Sequence, residues 1–452
     1  MKKERIIPEY ILCDNAKYAT LRKYNNFLVG RVTKLFHIKK KFLLQVISNG
    51  RQYKCRMENT ACNYSEIKNC LQVGDIMCGL YEKTTDKYGK CEFQINTMYI
   101  VTPCFLNEID TGLLPGNQFT LEKKKRFFHT YLSSDNMCSL RIIIQDRILR
   151  SLRHFLQGNG YVECFTPVLQ KNFFGGNARP FITHMKDNGD DVYLRLTSEI
   201  ALKHYIAGGF DKVYEIGHSF RNGNANSKSL VPFMAAEIYT AYSNEEENIQ
   251  FMKNIFKTLI NGLEETLCEY DVAISPYIKT DIESVSFLDY FKTKTGIDFL
   301  HEKEKVKNLL HTTFEYDIND ENYIKEVYKY FKNKMIVNQI EPIVITDLPS
   351  GISPLIQSKN EHCLYRSYLI VHGATLMEST IGKKDVEELT EALNRQKKLL
   401  ATKGRQEERD FTTFLHAYRY GMPTTAGLFI GLDRIFPALF GIENIGEYYM
   451  KM

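Results

Sequence analysis

The sequence predicts an α+β chain in two folded parts, a small N-terminal β-barrel and a larger antiparallel sheet flanked by helices. Three observations lead there. Short β-rich segments crowd residues 27–103, with a single helix-like stretch among them. Past residue 139, strand-like segments are separated by helices and loops of unequal length, not by a regular strand–helix alternation. At 452 residues, the chain is also too long for one ordinary core.

Taken in order, NNFLVGRVTKLF, KFLLQVIS, RQYKCRME and CEFQINTMYIV alternate partially and end at turns such as Asn49-Gly50 and Lys87-Tyr88-Gly89. With a helix-like segment near Ser65–Leu71, they fit a barrel of the OB type within 1–110, or another small β-domain. Residues 111–138 form a linker carrying the basic run LEKKKRFF. A long helix, SLRIIIQDRILRSLRHFLQ, opens the second part at 139–452 and closes at Gly158 and Gly160. The segments YVECFTPVL, DVYLRLT and DKVYEIGHSF follow as strands, the last two separated by the helix SEIALKHYIAGG, which Ser198 could cap. A mostly helical insertion covers about 244–337. EPIVITDLP and YRSYLIVHGATLMES return to strand patterns, and TAGLFIGLDRIFPALF runs from strand or loop into helix.

Composition narrows the class. Hydrophobic content of 44% against 25% charged residues is that of a chain that folds. No apolar run reaches the roughly 18–20 residues of a membrane span, and MKKERIIPEYILC is a poor signal peptide because Pro8 and Glu9 break its apolar patch. Eleven cysteines without a CxxC pair read as free thiols in a reducing cytoplasm and argue against structural zinc. A net charge of +5 permits a polyanionic partner without demanding one. Lysine is so abundant that scattered lysines carry little weight.

Six blocks carry the chemistry: GYVECFTPVL, GGNARPFITHM, YLRLTSEIALKHYIAGGFDKVYEIGHSFRN, EIYTAY, ITDLPSGISPL and GMPTTAGLFIGLDRI. In this order they resemble the class II lysyl-tRNA synthetase family, most strongly from Gly160 to Tyr242. The resemblance implies an anticodon-binding OB-fold and a catalytic domain built on an antiparallel sheet flanked by helices. It implies a homodimer through the first motif, around Pro167. It also implies a ligase that joins an amino acid to ATP as an aminoacyl-adenylate and passes the acyl group to tRNA.

A carboxylate attacking the α-phosphate brings two anions together, so such a site needs fixed positive charge. By the resemblance, Arg221 bridges carboxylate and phosphate, Arg434 packs over adenine and reaches the terminal phosphate, Phe233 stacks on the other adenine face, and Asn222 belongs to the ATP site. Arg221 and Arg434 are the catalytic pair. Glu199 and Glu237 would hold ammonium groups, with Tyr239 near the side-chain amine and Gly176 as a backbone contact. Glu199 could instead be paired internally with Arg195 or Arg221. Phe42 takes the place of a base-stacking aromatic in the barrel, or is core; Lys39, Lys40 and Lys41 could add affinity for RNA.

The departures from the family pattern matter as much. Gly223 and Ser229 replace a glutamate and a histidine of the ATP loop, and Pro232 replaces an acid. The two glutamates that would hold Mg²⁺ fall at Tyr368 and Thr375, leaving Glu378 as the one nearby acid, itself in place of an amide that contacts the substrate carboxylate. The glutamate that reads the lysine ε-amine becomes Gly382, which should weaken selectivity for lysine. The sequence therefore points to an ATP-using ligase of altered amino-acid choice. Two alternatives are a catalytically inactive RNA-binding or regulatory protein, and a paralogue that uses an amino acid or aminoacyl-tRNA without adenylation.

Overall fold

The computed structural model describes residues 7–86, 89–105, 120, 126–173, 178–187, 189–223, 230–278, 281–320, 322–351, 353–402, 410–446 and 449. The chain forms two compact units, residues 1–144 with 447–452, and residues 145–446.

In the first unit, β1 (Phe27–Ile38), β2 (Lys41–Ser48), β3 (Arg51–Glu58), β4 (Ile76–Thr85) and β5 (Cys91–Thr102) close into a barrel of order β1-β2-β3-β5-β4. This is the expected OB-type barrel, with the helix Tyr64–Cys70 between β3 and β4. Closure brings β4 and β5 so near that a Cβ at Gly79 would lie 2.3 Å from the Thr97 carbonyl oxygen, so only glycine fits there.

One expectation fails in the barrel. The period-two pattern of β2 sends Phe42, Leu44 and Val46 inward together, and Phe42 is fully buried, stacked on Tyr64 at 5.5 Å. Phe42 is therefore a core residue and presents no face to an RNA base. Phe42→Leu should lower barrel stability by about 1 kcal/mol in urea unfolding. One exposed aromatic of this unit is Phe36, on β1.

The second unit is built on an eight-stranded sheet. Its first strand is β6 (Val162–Glu163). The strands β7 (Leu169–Gln170), β8 (Ile182–His184) and β9 (Asp191–Leu194) form a separate sheet of order β7-β9-β8. The main sheet continues with β10 (Lys212–Ser219), β11 (Phe233–Ala241), β12 (Glu283–Ser286), β13 (Ile343–Thr346), β14 (Arg366–Val371), β15 (Ala374–Ile381) and β16 (Thr425–Gly431), in the order β12-β13-β14-β15-β16-β11-β10-β6. Its interior pairs are antiparallel, as expected; the edge pairs β10–β6 and β12–β13 are parallel. The insertion is helical, as its composition suggests, except that β12 leaves it to join the sheet.

Two local features shape the site. The β14–β15 hairpin turns at His372 and Gly373, both at positive φ, which suits a two-residue hairpin turn. A bulge then makes Leu376 the extra residue between the pairs Leu369–Met377 and Ile370–Thr375. All eleven cysteines are free. Among the described residues, no helix is long and apolar enough to cross a membrane.

Candidate active site

The register of four strands assembles one face of the sheet. Tyr368 pairs with Glu378, Glu378 with Phe429, and Phe429 with Glu237, so these side chains form one row. The next row runs Arg366, Thr380, Gly427, Tyr239. Gly427 is needed here: a Cβ would lie 2.8 Å from the Tyr239 ring.

Over this face lies a cavity of about 450 Å³, a size suited to a small ligand. Arg221, Phe233 and Arg434 line it together with Glu199, Glu237, Tyr239 and Glu378, so residues more than 200 positions apart meet in one place. Asn222 does not line it. Its backbone N–H donates to the Arg179 carbonyl at 2.9 Å and its side chain to the Pro180 carbonyl at 3.4 Å. Gly176 and the loop at 224–229, with Ser229, lie outside the described residues.

The carboxylates divide by environment. Glu237 is buried and accepts from the Thr197 hydroxyl at 2.7 Å and the Ser198 N–H at 3.1 Å. Burial raises its pKa, the Thr197 hydrogen bond opposes this, and Glu199 raises it further. Glu199 and Glu237 both line the cavity. Glu199 does not pair with Arg195 or Arg221. Its partner is Lys203, one helical turn on, at 2.7 Å. Burial alone would depress the Lys203 ammonium, but Glu199, followed by Tyr418, holds it above the ordinary lysine value. At Gly382 a Cβ would lie 3.4 Å from the Lys203 Nζ, so the missing family carboxylate would have begun beside this ammonium.

Arg221 and Arg434 also line the cavity. The Arg221 guanidinium lies 5.0 Å from the centre of the Phe233 ring, and Arg221 is exposed to the cavity. Arg434 donates to the Thr375 carbonyl at 3.0 Å, and burial, then Arg221, lowers its pKa. Glu378 also lines the cavity and is paired there with Arg366 at 2.8 Å.

The position of Arg366, two residues from Tyr368 on the same strand, was a signal in the sequence that the two share a face. Thr197 had a weaker signal, as a hydroxyl beside the helix start. Nothing in the sequence singled out Lys332, which also lines the cavity.

The residues present do not fit Mg²⁺. Tyr368 has no carboxylate, the Thr375 carbonyl already accepts from Arg434, and Glu378 is paired with Arg366. Among the described residues, no group of three or more His, Cys, Asp or Glu could hold a metal ion.

An OB-type barrel, an antiparallel-centred sheet and a cavity lined by Arg221, Arg434, Glu199 and Glu237 fit a class II synthetase. The family described as tRNA synthetases class II (D, K and N) matches residues 120–450, and the chain belongs to it. Lysine–tRNA ligases are among its curated relatives. That of Fervidobacterium nodosum is 33% identical over 318 residues, 68% of this chain and 60% of that protein. That of Mycoplasma genitalium is 32% identical over 320 residues, 67% and 62% respectively. That of Malacoplasma penetrans is 28% identical over 440 residues, 93% of this chain and 87% of that protein. The first two matches thus span less than two thirds of the relatives' length.

Proposed function

We propose that the chain activates an amine-bearing amino acid with ATP and passes the acyl group to tRNA or another acceptor. The observation that carries this reading is the convergence of Arg221, Phe233 and Arg434 with Glu199 and Glu237 on one cavity. A substrate carboxylate oxygen attacks the α-phosphorus, the bond to the bridging oxygen breaks, and pyrophosphate leaves with that electron pair. Arg221 spans the carboxylate and the α-phosphate with its planar fork. Phe233 and Arg434 hold adenine between them, and Glu237 takes an ammonium group, for which Thr197 and Ser198 keep it oriented. With glycine at 382, the side-chain amine has lost its own carboxylate, so the preferred substrate is an amino acid other than lysine, or lysine with reduced selectivity.

Amino-acid-dependent ATP–pyrophosphate exchange across a panel of amino acids and amines tests the reading, and no exchange with any of them would refute it. Loss of the two metal acids favours the second reading, a paralogue that binds an amino acid or aminoacyl-tRNA without adenylation. That protein would bind its ligand with no exchange.

For RNA, we propose that single-stranded bases meet the barrel at exposed Phe36, beside Lys39 and Lys40. The proposed homodimer would cover an apolar strip that includes Phe165, which is 79% exposed, together with Val168, Leu169 and Ile182. Phe165→Asp should convert the dimer to monomer in light scattering behind a sizing column. An unchanged mass would remove this strip as the interface.

A further inference from the structure

Lys332 lines the cavity and has no part in the reaction proposed above. It sits where a helix, Tyr323–Tyr330, widens into a π turn, Phe331–Met335, whose Ile336 N–H reaches back five residues to the Phe331 carbonyl. Such turns often occur at functional sites. Phe331 and Met335 anchor the turn in the core, and Lys332 faces the cavity, its ammonium 5.8 Å from the centre of the Tyr368 ring. Among the described residues no carboxylate lies within salt-bridge distance of it. Arg366 flanks the same ring at 5.1 Å.

The first metal position implied by the resemblance is thus an aromatic ring with two cations within 6 Å of its centre. Replacing two carboxylates by Tyr368 and Thr375 removes two negative charges. The wall therefore offers a triphosphate the same charge without a divalent ion that two acids and one such ion would offer together.

Resting on the reading above, we propose that the phosphate end of this cavity is a metal-independent polyanion site, with the Lys332 ammonium doing for the β- and γ-phosphates what Mg²⁺ does elsewhere. A mobile ammonium with three donors suits oxygens that leave as pyrophosphate. The free-state electrostatics agree. Desolvation of its ammonium, then Arg366, Arg434 and Arg221, with Glu378 opposing, push the Lys332 pKa down to about 8, although the residue as a whole is exposed. Phosphate oxygens would draw it back up, so binding of ATP near pH 8 should take up a proton.

Calorimetric titration of the full chain with ATP, and with AMP as the probe lacking those phosphates, tests this in EDTA and in excess Mg²⁺. The expected result is ATP affinity alike in both conditions. It should fall about tenfold in Lys332→Gln and be kept in Lys332→Arg, with AMP affinity unmoved. Proton uptake should be present in the wild type and absent in Lys332→Gln. ATP binding only with Mg²⁺ would overturn this inference and leave the proposed function standing, as would equal losses for ATP and AMP in Lys332→Gln. ATP binding under neither condition would overturn the proposed function and this inference with it.

Discussion

Arg221→Ala should reduce amino-acid-dependent pyrophosphate exchange by about 10²–10³-fold, the loss seen when one preorganised donor facing developing charge is removed. The attack joins a carboxylate to a phosphate, and each approach of like charge is opposed in a cavity partly shielded from water. Arg434 cannot replace Arg221, because its guanidinium is tethered to the Thr375 carbonyl. Folding should be untouched. Arg221 is exposed, and what it packs on is the Phe233 ring, so the melting temperature should match wild type. Arg221→Lys keeps the charge but loses the two-pronged geometry, and should recover only part of the rate. Exchange retained in Arg221→Ala would place the chemistry elsewhere.

How far the sequence could be read depended on the range of the interaction. The barrel strands and the helix Tyr64–Cys70 were legible because alternation and turn residues act over a few positions. Arg221, Phe233, Glu237 and Arg434 were legible because they lie in motifs whose order is that of the family. Phe42 was left open between a base-stacking and a core role for a local reason. Alternation fixes which residues share a face of a strand but not which face turns inward, and closure of the barrel decided that.

Partner choice was not legible at all. For Glu199 the sequence reading weighed Arg195 and Arg221 as internal partners, whereas the structure pairs it with Lys203, four residues on. Glu378 appeared free because Arg366 reaches it only through the pairing of β14 with β15. Lys332 was one lysine among many, and only the π turn and the fold of the insertion turn it toward the cavity.

The largest loss of stability should follow from separating Arg195 and Glu215. Both side chains are nearly inaccessible, at 5% and 6%, and they form a direct ion pair. Thr166 completes the network: its hydroxyl accepts from Arg195 at 3.0 Å and donates to Glu215 at 2.7 Å, while the Arg195 Nε donates to the His218 carbonyl at 2.9 Å. Gly217 leaves room for the guanidinium, since a Cβ there would lie 2.3 Å from Nη2.

Arg195→Met strands a buried carboxylate and Glu215→Leu strands a buried guanidinium, so each should cost about 3–5 kcal/mol in urea unfolding. The double variant should cost less than the sum of the two, because neither charge is then left alone. Additive losses would mean that the pair is not coupled. The consequence reaches the cavity through the backbone. The Arg195 carbonyl accepts from the Phe220 N–H at 2.9 Å, next to Arg221, and Thr197 and Ser198, which hold Glu237, follow two and three residues later. Loosening this pair should therefore weaken exchange even at temperatures where the fold persists, with neither residue touching substrate.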